Sequence, residues 1–284
     1  AHLDTTGSMS GLIEGAKEKI WAIANEMIAA KPSPELKLAL IGYRDRGDDY
    51  VTRVTDLTAD IDAIHAKLTE FNAGGGGDGP ESVNQALHEA VTKVSWSDDR
   101  DVLKIVFLVG DAPPHMDYDQ DVRYPDVCQA AVKRDLVVNT VQCGEDEGTA
   151  RVWKEIAGLA EGKYIPLVQS GGMVRIAAPQ DDEIVRLNRA IGGTLVGFGS
   201  AQTRDAVLAK QAASEAAKPA AAADRLSYNA STRFGSCEAS RRPFGSRPAA
   251  RASTTPSDAA DLPGTAGWGA VQWSPSSEER RRCM

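Results

Sequence analysis

Short apolar runs alternate with amphipathic helical stretches up to about residue 170, and this alternation constrains the fold more than any other feature of the chain. The runs at 36–42, 103–110 and 136–142 have the length and composition of strands buried on both faces. Helical stretches separate them, and the longest, residues 11–30, carries apolar side chains at helical spacing. This order predicts an α/β fold: a doubly wound, mostly parallel sheet with helices on both faces.

The first strand is expected to be truncated at its N-terminus. Only Ala1, His2 and Leu3 precede the loop that begins at Asp4, whereas a central strand of a parallel sheet usually carries about four to six apolar residues. The chain starts without Met and without a signal segment. The compartment therefore stays open, with a secreted or periplasmic location favoured over a cytoplasmic one.

Composition narrows the classes of partner. Hydrophobic residues make up 42% of the 284 residues and charged residues 25%, as in soluble globular proteins. No apolar run approaches the roughly 18 residues of a membrane span. The net charge of −8 disfavours nucleic acid and suits cations or basic surfaces.

Four cysteines lack zinc-type spacing, and Cys128 and Cys143 are compatible with a disulfide or with two buried thiols.

Three segments follow from the pattern. Residues 1–170 form the α/β domain. Residues 171–232 are helix-prone but poor in large apolar side chains, which predicts a helical extension. Residues 233–284 are rich in Arg, Ser, Pro and Ala without hydrophobic periodicity, which indicates disorder or an out-of-frame translation.

Asp4, Thr6 and Ser8 place one carboxylate and two hydroxyls at alternate positions in the loop before the first predicted helix. Open α/β sheets bind ligands where a strand's carboxyl end leads into a helix, and hard divalent cations prefer oxygen ligands. The same residue types also favour helix caps, so a purely capping role is the alternative.

Two further loops offer carboxylates beside the predicted strand ends. Asp78 and Glu81 lie in a glycine-rich loop, and Asp111 directly follows the strand at 103–110. Because the carboxyl ends of parallel strands meet at one edge, these residues are expected to converge with Asp4. Oxygen ligands without His or Cys select Mg²⁺, or else Mn²⁺ or Ca²⁺.

Four motifs together resemble the von Willebrand factor type A domain, and Asp4-x-Thr6-x-Ser8 matches that family's D-x-[ST]-x-S metal-ion-dependent adhesion motif. The similarity extends to bacterial members, including those associated with alpha-kinases. The motifs are Asp4-Thr5-Thr6-Gly7-Ser8-Met9, Gly42-Tyr43-Arg44-Asp45, Gly75-Gly76-Gly77-Asp78-Gly79-Pro80-Glu81 and Gly110-Asp111-Ala112-Pro113-Pro114-His115.

The resemblance implies the roles of individual residues. The second loop resembles the integrin beta-subunit version, D-x-P-E, in which the Glu approaches the metal, so Glu81 replaces the usual Thr as ligand beside Asp4, Thr6, Ser8 and Asp111. The adjacent-cation or outer-layer candidates are Asp45, Asp78, Ser10 and His115. The integrin version has an Asn where this chain has Gly76, which puts an adjacent calcium site in doubt.

The function implied by the resemblance is metal-dependent recognition, in which an Asp or Glu of a partner protein completes the coordination of the cation. A scaffold subunit for an intracellular kinase or ATPase shares this site. The rival is a Mg²⁺-dependent phosphotransferase or hydrolase with His115 as base, but no nucleophile pattern accompanies it, so no enzymatic activity is expected. Arg46-Gly47-Asp48 spells an integrin-recognition tripeptide and is read as a polar turn.

Overall fold

The fold is a sheet of seven strands with helices on both faces. The structure is a computed structural model, and it describes residues 1–77, 79–169, 179–197, 200–240 and 270–273. The strands are β1 (His2–Asp4), β2 (Lys37–Tyr43), β3 (Thr52–Thr58), β4 (Leu103–Gly110), β5 (Leu136–Cys143), β6 (Tyr164–Leu167) and β7 (Ala270–Trp273). The helices are α1 (Ser10–Ile28), α2 (Ile61–Thr69), α3 (Val83–Thr92), α4 (Tyr124–Val132), α5 (Glu147–Leu159), α6 (Asp181–Gly193), α7 (Ala201–Ala216) and α8 (Pro219–Ser240).

The sheet has the doubly wound topology that the sequence predicts. Strand β1 pairs in parallel with β2 on one side and with β4 on the other, and β5 and β6 continue the parallel sheet beyond β4. Strand β3 pairs antiparallel at the outer edge of β2. The chain therefore crosses from one half of the sheet to the other at β1, and the loops after β1 and β4 lie at the switch point.

Both faces of the central strands are covered, which explains their nearly continuous apolar sequences. One face packs against α3, α4 and α5 in a cluster that includes Val106, Leu108 and Trp153. The other packs against α1 and α2 in a cluster that includes Leu3 and Trp21. The strand ends below the loops are thus fixed by packing from two sides.

Regular structure continues beyond the predicted boundary of the tail. Helix α8 runs to Ser240, and β7 lies antiparallel between residues 37–39 of β2 and residues 103–105 of β4. At these residues the structure has regular elements where the sequence indicates a tail without them. The physical reason is that β1 covers only three residues between β2 and β4, so their remaining backbone groups accept a strand from elsewhere in the chain. Residues 241–269 and 274–284 lie outside the described part.

The helical extension packs on the domain. The helix-prone segment contains α6, α7 and the start of α8, and Pro219 lies at the first position of α8, where its missing N–H costs no helical hydrogen bond. The Tyr228 ring of α8 lies 5.4 Å from the Trp21 ring of α1. Among the described residues, no helix has the length and apolar character needed to span a bilayer.

The two cysteines of the domain are buried free thiols. Burial raises the pKa of both Cys128 and Cys143 to about 12. Of the two alternatives left open by the sequence, the structure has the thiols.

Candidate metal site

The first loop brings its three predicted ligands together. Strand β1 ends at Asp4, and a single 3-10 turn, Gly7–Met9, leads into α1. Asp4 Oδ1 accepts hydrogen bonds from the Thr6 amide at 2.8 Å and from Thr6 Oγ1 at 2.7 Å. Thr6 Oγ1 lies 3.5 Å from Ser8 Oγ. Asp4 and Thr6 are buried, whereas Ser8 is exposed at the mouth of the loop.

None of these side chains caps a helix. Thr6 precedes the 3-10 turn and Met9 precedes α1, and neither position has a side-chain cap hydrogen bond. The capping alternative is therefore wrong. The 3-10 turn displaces Ser8 and Thr6 from the cap position of α1, which leaves both hydroxyls beside the Asp4 carboxylate.

Backbone pairing between the second and third loops places Glu81. Its amide donates to the Pro113 carbonyl at 2.9 Å, and its carbonyl accepts from the His115 amide at 3.0 Å. The side chain reaches back to the first loop: a Cβ built on Gly76 would lie 3.6 Å from Glu81 Oε1 and 3.4 Å from Thr6 Cβ. Gly76 has φ +79°, a conformation that favours glycine, so the loop can pass close to both.

Asp111 completes the group from the end of β4. Its charge acts on the buried Asp4 carboxyl. Gln169, two residues beyond β6, donates from Nε2 to Asp111 Oδ2 at 2.6 Å and to the Ser8 carbonyl at 3.3 Å. The three loops and the segment after β6 therefore meet at one point of the sheet edge.

The electrostatics of this group favour a cation. Burial raises the pKa of Asp4 to about 7, with a further contribution from Asp111 against the lowering effect of the Thr6 hydrogen bonds. Burial also raises the pKa of Glu81 to about 9, and the charges of Asp4, Asp45, Asp48 and Asp111 add to the effect. Asp4 Oδ2 and Glu81 Oε2 are buried without a hydrogen-bond partner. Buried carboxylates of this kind are stabilised by a bound cation.

The donor set is mixed. Among the described residues, no three His, Cys, Asp or Glu side chains form a metal-binding group by themselves. The residues that fit a cation are carboxylates supplemented by the Thr6 and Ser8 hydroxyls, an oxygen-only set that suits Mg²⁺. The assignment of Asp4, Thr6, Ser8, Glu81 and Asp111 as ligands stays a prediction.

The outer-layer candidates fall into three groups. Asp45 is buried behind Glu81, where it accepts from Ser82 Oγ at 3.0 Å and from the Tyr118 hydroxyl at 2.8 Å. His115 Nε2 lies 3.4 Å from Asp45 Oδ2, and its ring stacks on Tyr118. Ser10 is exposed at the first position of α1. Asp78 lies outside the described residues.

Two residues that contact the site, Asp48 and Gln169, were not among the candidates predicted from the sequence. Asp48 Oδ2 accepts from the Gly76 amide at 3.1 Å and so holds the glycine-rich loop. Because Arg46 pairs with Asp121, the charged ends of the Arg46-Gly47-Asp48 tripeptide are engaged within the protein. Gln169 is the second; a polar residue two positions after the last parallel strand was its only signal.

Replacing Gln169 by Ala should change the affinity for Mg²⁺ by up to about tenfold without a comparable loss of stability. A hydrogen bond to a ligating carboxylate orients it and is worth about 1–2 kcal/mol. A Cβ on Gly144 would lie 2.5 Å from Gln169 Oε1, so Gly144→Ala should displace the same amide and shift the affinity in the same direction. Isothermal titration with Mg²⁺ measures both. Unchanged affinity in the two variants would contradict a role for Gln169.

Comparison with known proteins gives the family. A family model described as the von Willebrand factor A domain matches residues 2–174, more than half of the chain. The chain belongs to the von Willebrand factor A domain family. Domains of this family commonly mediate protein–protein interaction. The match spans the whole of the sheet up to β6 and all the predicted ligands.

Similar solved structures are distant from this chain in sequence and in backbone geometry. The VWA domain of SpRpn10 is 13% identical, with a TM-score of 0.44, and the match covers 61% of this chain and 96% of that one. Proximal thread matrix protein 1 from the mussel byssus is 12% identical, with a TM-score of 0.42, and the match covers 59% of this chain. This chain spans only 40% of the mussel protein's length. The comparison with curated proteins gives no match.

Proposed function

We propose that this von Willebrand factor A domain is a Mg²⁺-dependent protein-binding module that takes an Asp or Glu side chain of its partner. The observation that carries the proposal is the pair of buried, unpartnered oxygens, Asp4 Oδ2 and Glu81 Oε2, beside the Thr6 hydroxyl. Buried carboxylate oxygens without hydrogen bonds are costly unless a cation compensates them. Mn²⁺ or Ca²⁺ would suit the same oxygen donors.

The proposed ligands would contribute to cation binding in different ways. Asp4 and Glu81 would supply charge from the buried side, and Thr6 and Ser8 would supply neutral hydroxyls. Asp111, oriented by Gln169, would act directly or through water. Bound Mg²⁺ would supply an electrophilic centre with a coordination position left for an outside carboxylate. Ser8 is exposed, so a partner reaches the site from that side.

Binding fits the site better than catalysis. The only base suggested for an enzyme is His115, and its Nδ1 lies 2.8 Å from Asp117 while its ring is stacked on Tyr118. The backbone of His115 is also used to pair with Glu81. These contacts support a structural role for His115.

The proposal is tested with peptides rather than with an unidentified partner. A fluorescein-labelled peptide of Ser and Gly with one central Glu should bind in Mg²⁺ and lose binding in EDTA. The matched peptide with Gln should bind at least about tenfold more weakly, because an amide is a poorer ligand than a carboxylate. Anisotropy measures both. Equal binding of the two peptides, or binding that persists in EDTA, would contradict the proposal.

A further inference from the structure

A cationic and aromatic surface lies beside the first metal-binding loop. The Arg53 guanidinium lies 4.0 Å from the centroid of the Tyr50 ring, and the Arg44 guanidinium lies 4.7 Å from it. Both guanidinium groups are within cation–π distance of the ring. Arg44 is buried, and its Nη2 donates to the Asn72 carbonyl at 2.6 Å, whereas Arg53 is exposed. We call the pair Arg53 and Tyr50 the Arg53–Tyr50 platform.

The platform is tied to the metal loop through Thr5. Thr5 Oγ1 donates to the Tyr43 carbonyl at 2.9 Å and therefore accepts at 2.6 Å from the Tyr50 hydroxyl. Thr5 lies between Asp4 and Thr6, two of the predicted ligands. The position of the Tyr50 ring is thus fixed relative to the site, and the ring in turn orients Arg53 by a cation–π contact.

The register of the sheet gives the separation. Arg53 pairs with Gly42, and Gly42 pairs with Leu3, the residue before Asp4. Two strand spacings separate the Cα atoms of Arg53 and Leu3, which is about 10 Å, and this backbone distance sets the scale of the separation between Arg53 and the first loop. An extended peptide advances about 3.3 Å per residue, so a residue three or four positions from one bound at the metal reaches this distance.

Arg53 is available to an outside carboxylate. In the part of the chain that the structure describes, no carboxylate lies within ion-pair distance of Arg53, whereas Arg44 faces Asp49 at 3.5 Å. An exposed guanidinium already stacked on a ring loses less rotational freedom when it binds a carboxylate. The chain as a whole has a net charge of −8, so an exposed Arg without a carboxylate partner among the described residues stands out beside the proposed metal site.

We infer that the Arg53–Tyr50 platform is a second anchor for the partner, which is an extended acidic segment with two carboxylates about four residues apart. One carboxylate binds at the metal site and the other pairs with the Arg53 guanidinium. This inference rests on the proposed function and adds the length and charge pattern of the partner. It assigns Arg53 as a specificity-determining residue.

The experiment compares peptides with one and two acidic residues on the full chain in Mg²⁺. The first is the Ser/Gly peptide with a single central Glu, and the others add a second Glu four positions before or after it. One two-Glu peptide should bind about three- to tenfold more tightly at low salt, as expected for a stacked, partly oriented Arg–carboxylate pair. The gain should shrink at high salt because the pair is exposed to solvent.

Variants of Arg53 and Arg100 distinguish a specific contact with Arg53 from a general effect of the positive charge of the protein. Arg53→Gln should abolish the gain from the second Glu while leaving Mg²⁺ affinity and single-Glu binding unchanged, and Arg53→Lys should keep part of it. Arg100, an exposed arginine before β4 at the other end of the sheet, provides the control: Arg100→Gln should keep the full gain. If the single-Glu peptide binds in Mg²⁺ but a second Glu adds nothing, or if Arg53→Gln keeps the gain, the inference is wrong. Failure of the single-Glu peptide itself would contradict the proposed function instead.

Discussion

Replacing Asp4 by Asn should abolish the rise in melting temperature that Mg²⁺ produces, while the metal-free variant should be at least as stable as the wild type. In the wild type, Mg²⁺ at 100 times its dissociation constant should stabilise the fold by about 2.7 kcal/mol, which corresponds to roughly 5–10 °C for a domain of this size. The Asn variant removes a charge that the proposed metal site requires. It also relieves a buried carboxylate whose pKa is raised to about 7 by burial.

The substitution is chosen to preserve local structure. An Asn oxygen at the Oδ1 position can still accept the two hydrogen bonds from Thr6. The opposite signs of the two effects, stabilisation without metal and no response to metal, distinguish a metal site from a structural Asp, whose loss would only destabilise. Asp101→Asn, an exposed carboxylate before β4, is the control and should leave both properties unchanged. A Mg²⁺ response that survives Asp4→Asn would place the metal elsewhere.

The sequence predicts the strands and helices that carry the site loops, because each element is determined by a pattern within its own residues. Apolar runs such as 103–110 and the helical spacing of 11–30 are set by burial on two faces, and the structure has a strand at Leu103–Gly110 and a helix at Ser10–Ile28. The convergence of Asp4 and Asp111 follows from the direction of parallel strands, and Glu81 joins them because its backbone pairs with that of Pro113 and His115. The elements and the convergence of the two strand ends are properties of pattern and topology alone.

The remaining features depend on contacts between distant residues. Gln169 reaches Asp111 across 58 positions of sequence, and Asp48 reaches Gly76 across 28. Neither residue has a pattern that distinguishes it from a loop Gln or Asp. The same holds for β7, whose place in the sheet depends on unpaired backbone of β2 and β4 and not on its own four residues.

Replacing Arg225 by Ala should lower the free energy of unfolding by about 3 kcal/mol or more. Arg225 attaches the helical extension to the domain, and no sequence pattern predicted this attachment. Arg225 of α8 is buried against Asp62 of α2, with Nε donating to Oδ1 at 2.7 Å and Nη2 to Oδ2 at 3.0 Å. Its Nη1 donates to Asn188 Oδ1 of α6 and to Ser214 Oγ of α7. One guanidinium therefore joins all three helices of the extension to the domain.

The size of the effect comes from the charge that is left behind. Removal of Arg225 leaves the Asp62 carboxylate buried, with Lys210 at 3.6 Å as its remaining cation. The double variant Asp62→Asn with Arg225→Met should regain much of the lost stability, because neither charge is then buried alone. Lys67→Ala breaks an exposed ion pair with Glu70 on the same helix and should cost less than about 1 kcal/mol.

Urea unfolding monitored by tryptophan fluorescence measures these differences, since Trp21 lies beneath Tyr228 and within 5.8 Å of the Arg225 guanidinium. A single transition that moves to lower urea in Arg225→Ala would mean that the extension and the domain unfold together. If the extension were an independent appendage, Arg225→Ala would leave the main transition in place, and at most a separate early transition would appear. That outcome would mean that residues 181–240 are only attached to the domain, and that the packing of α8 on α1 contributes nothing to the stability of the sheet that carries the proposed metal site.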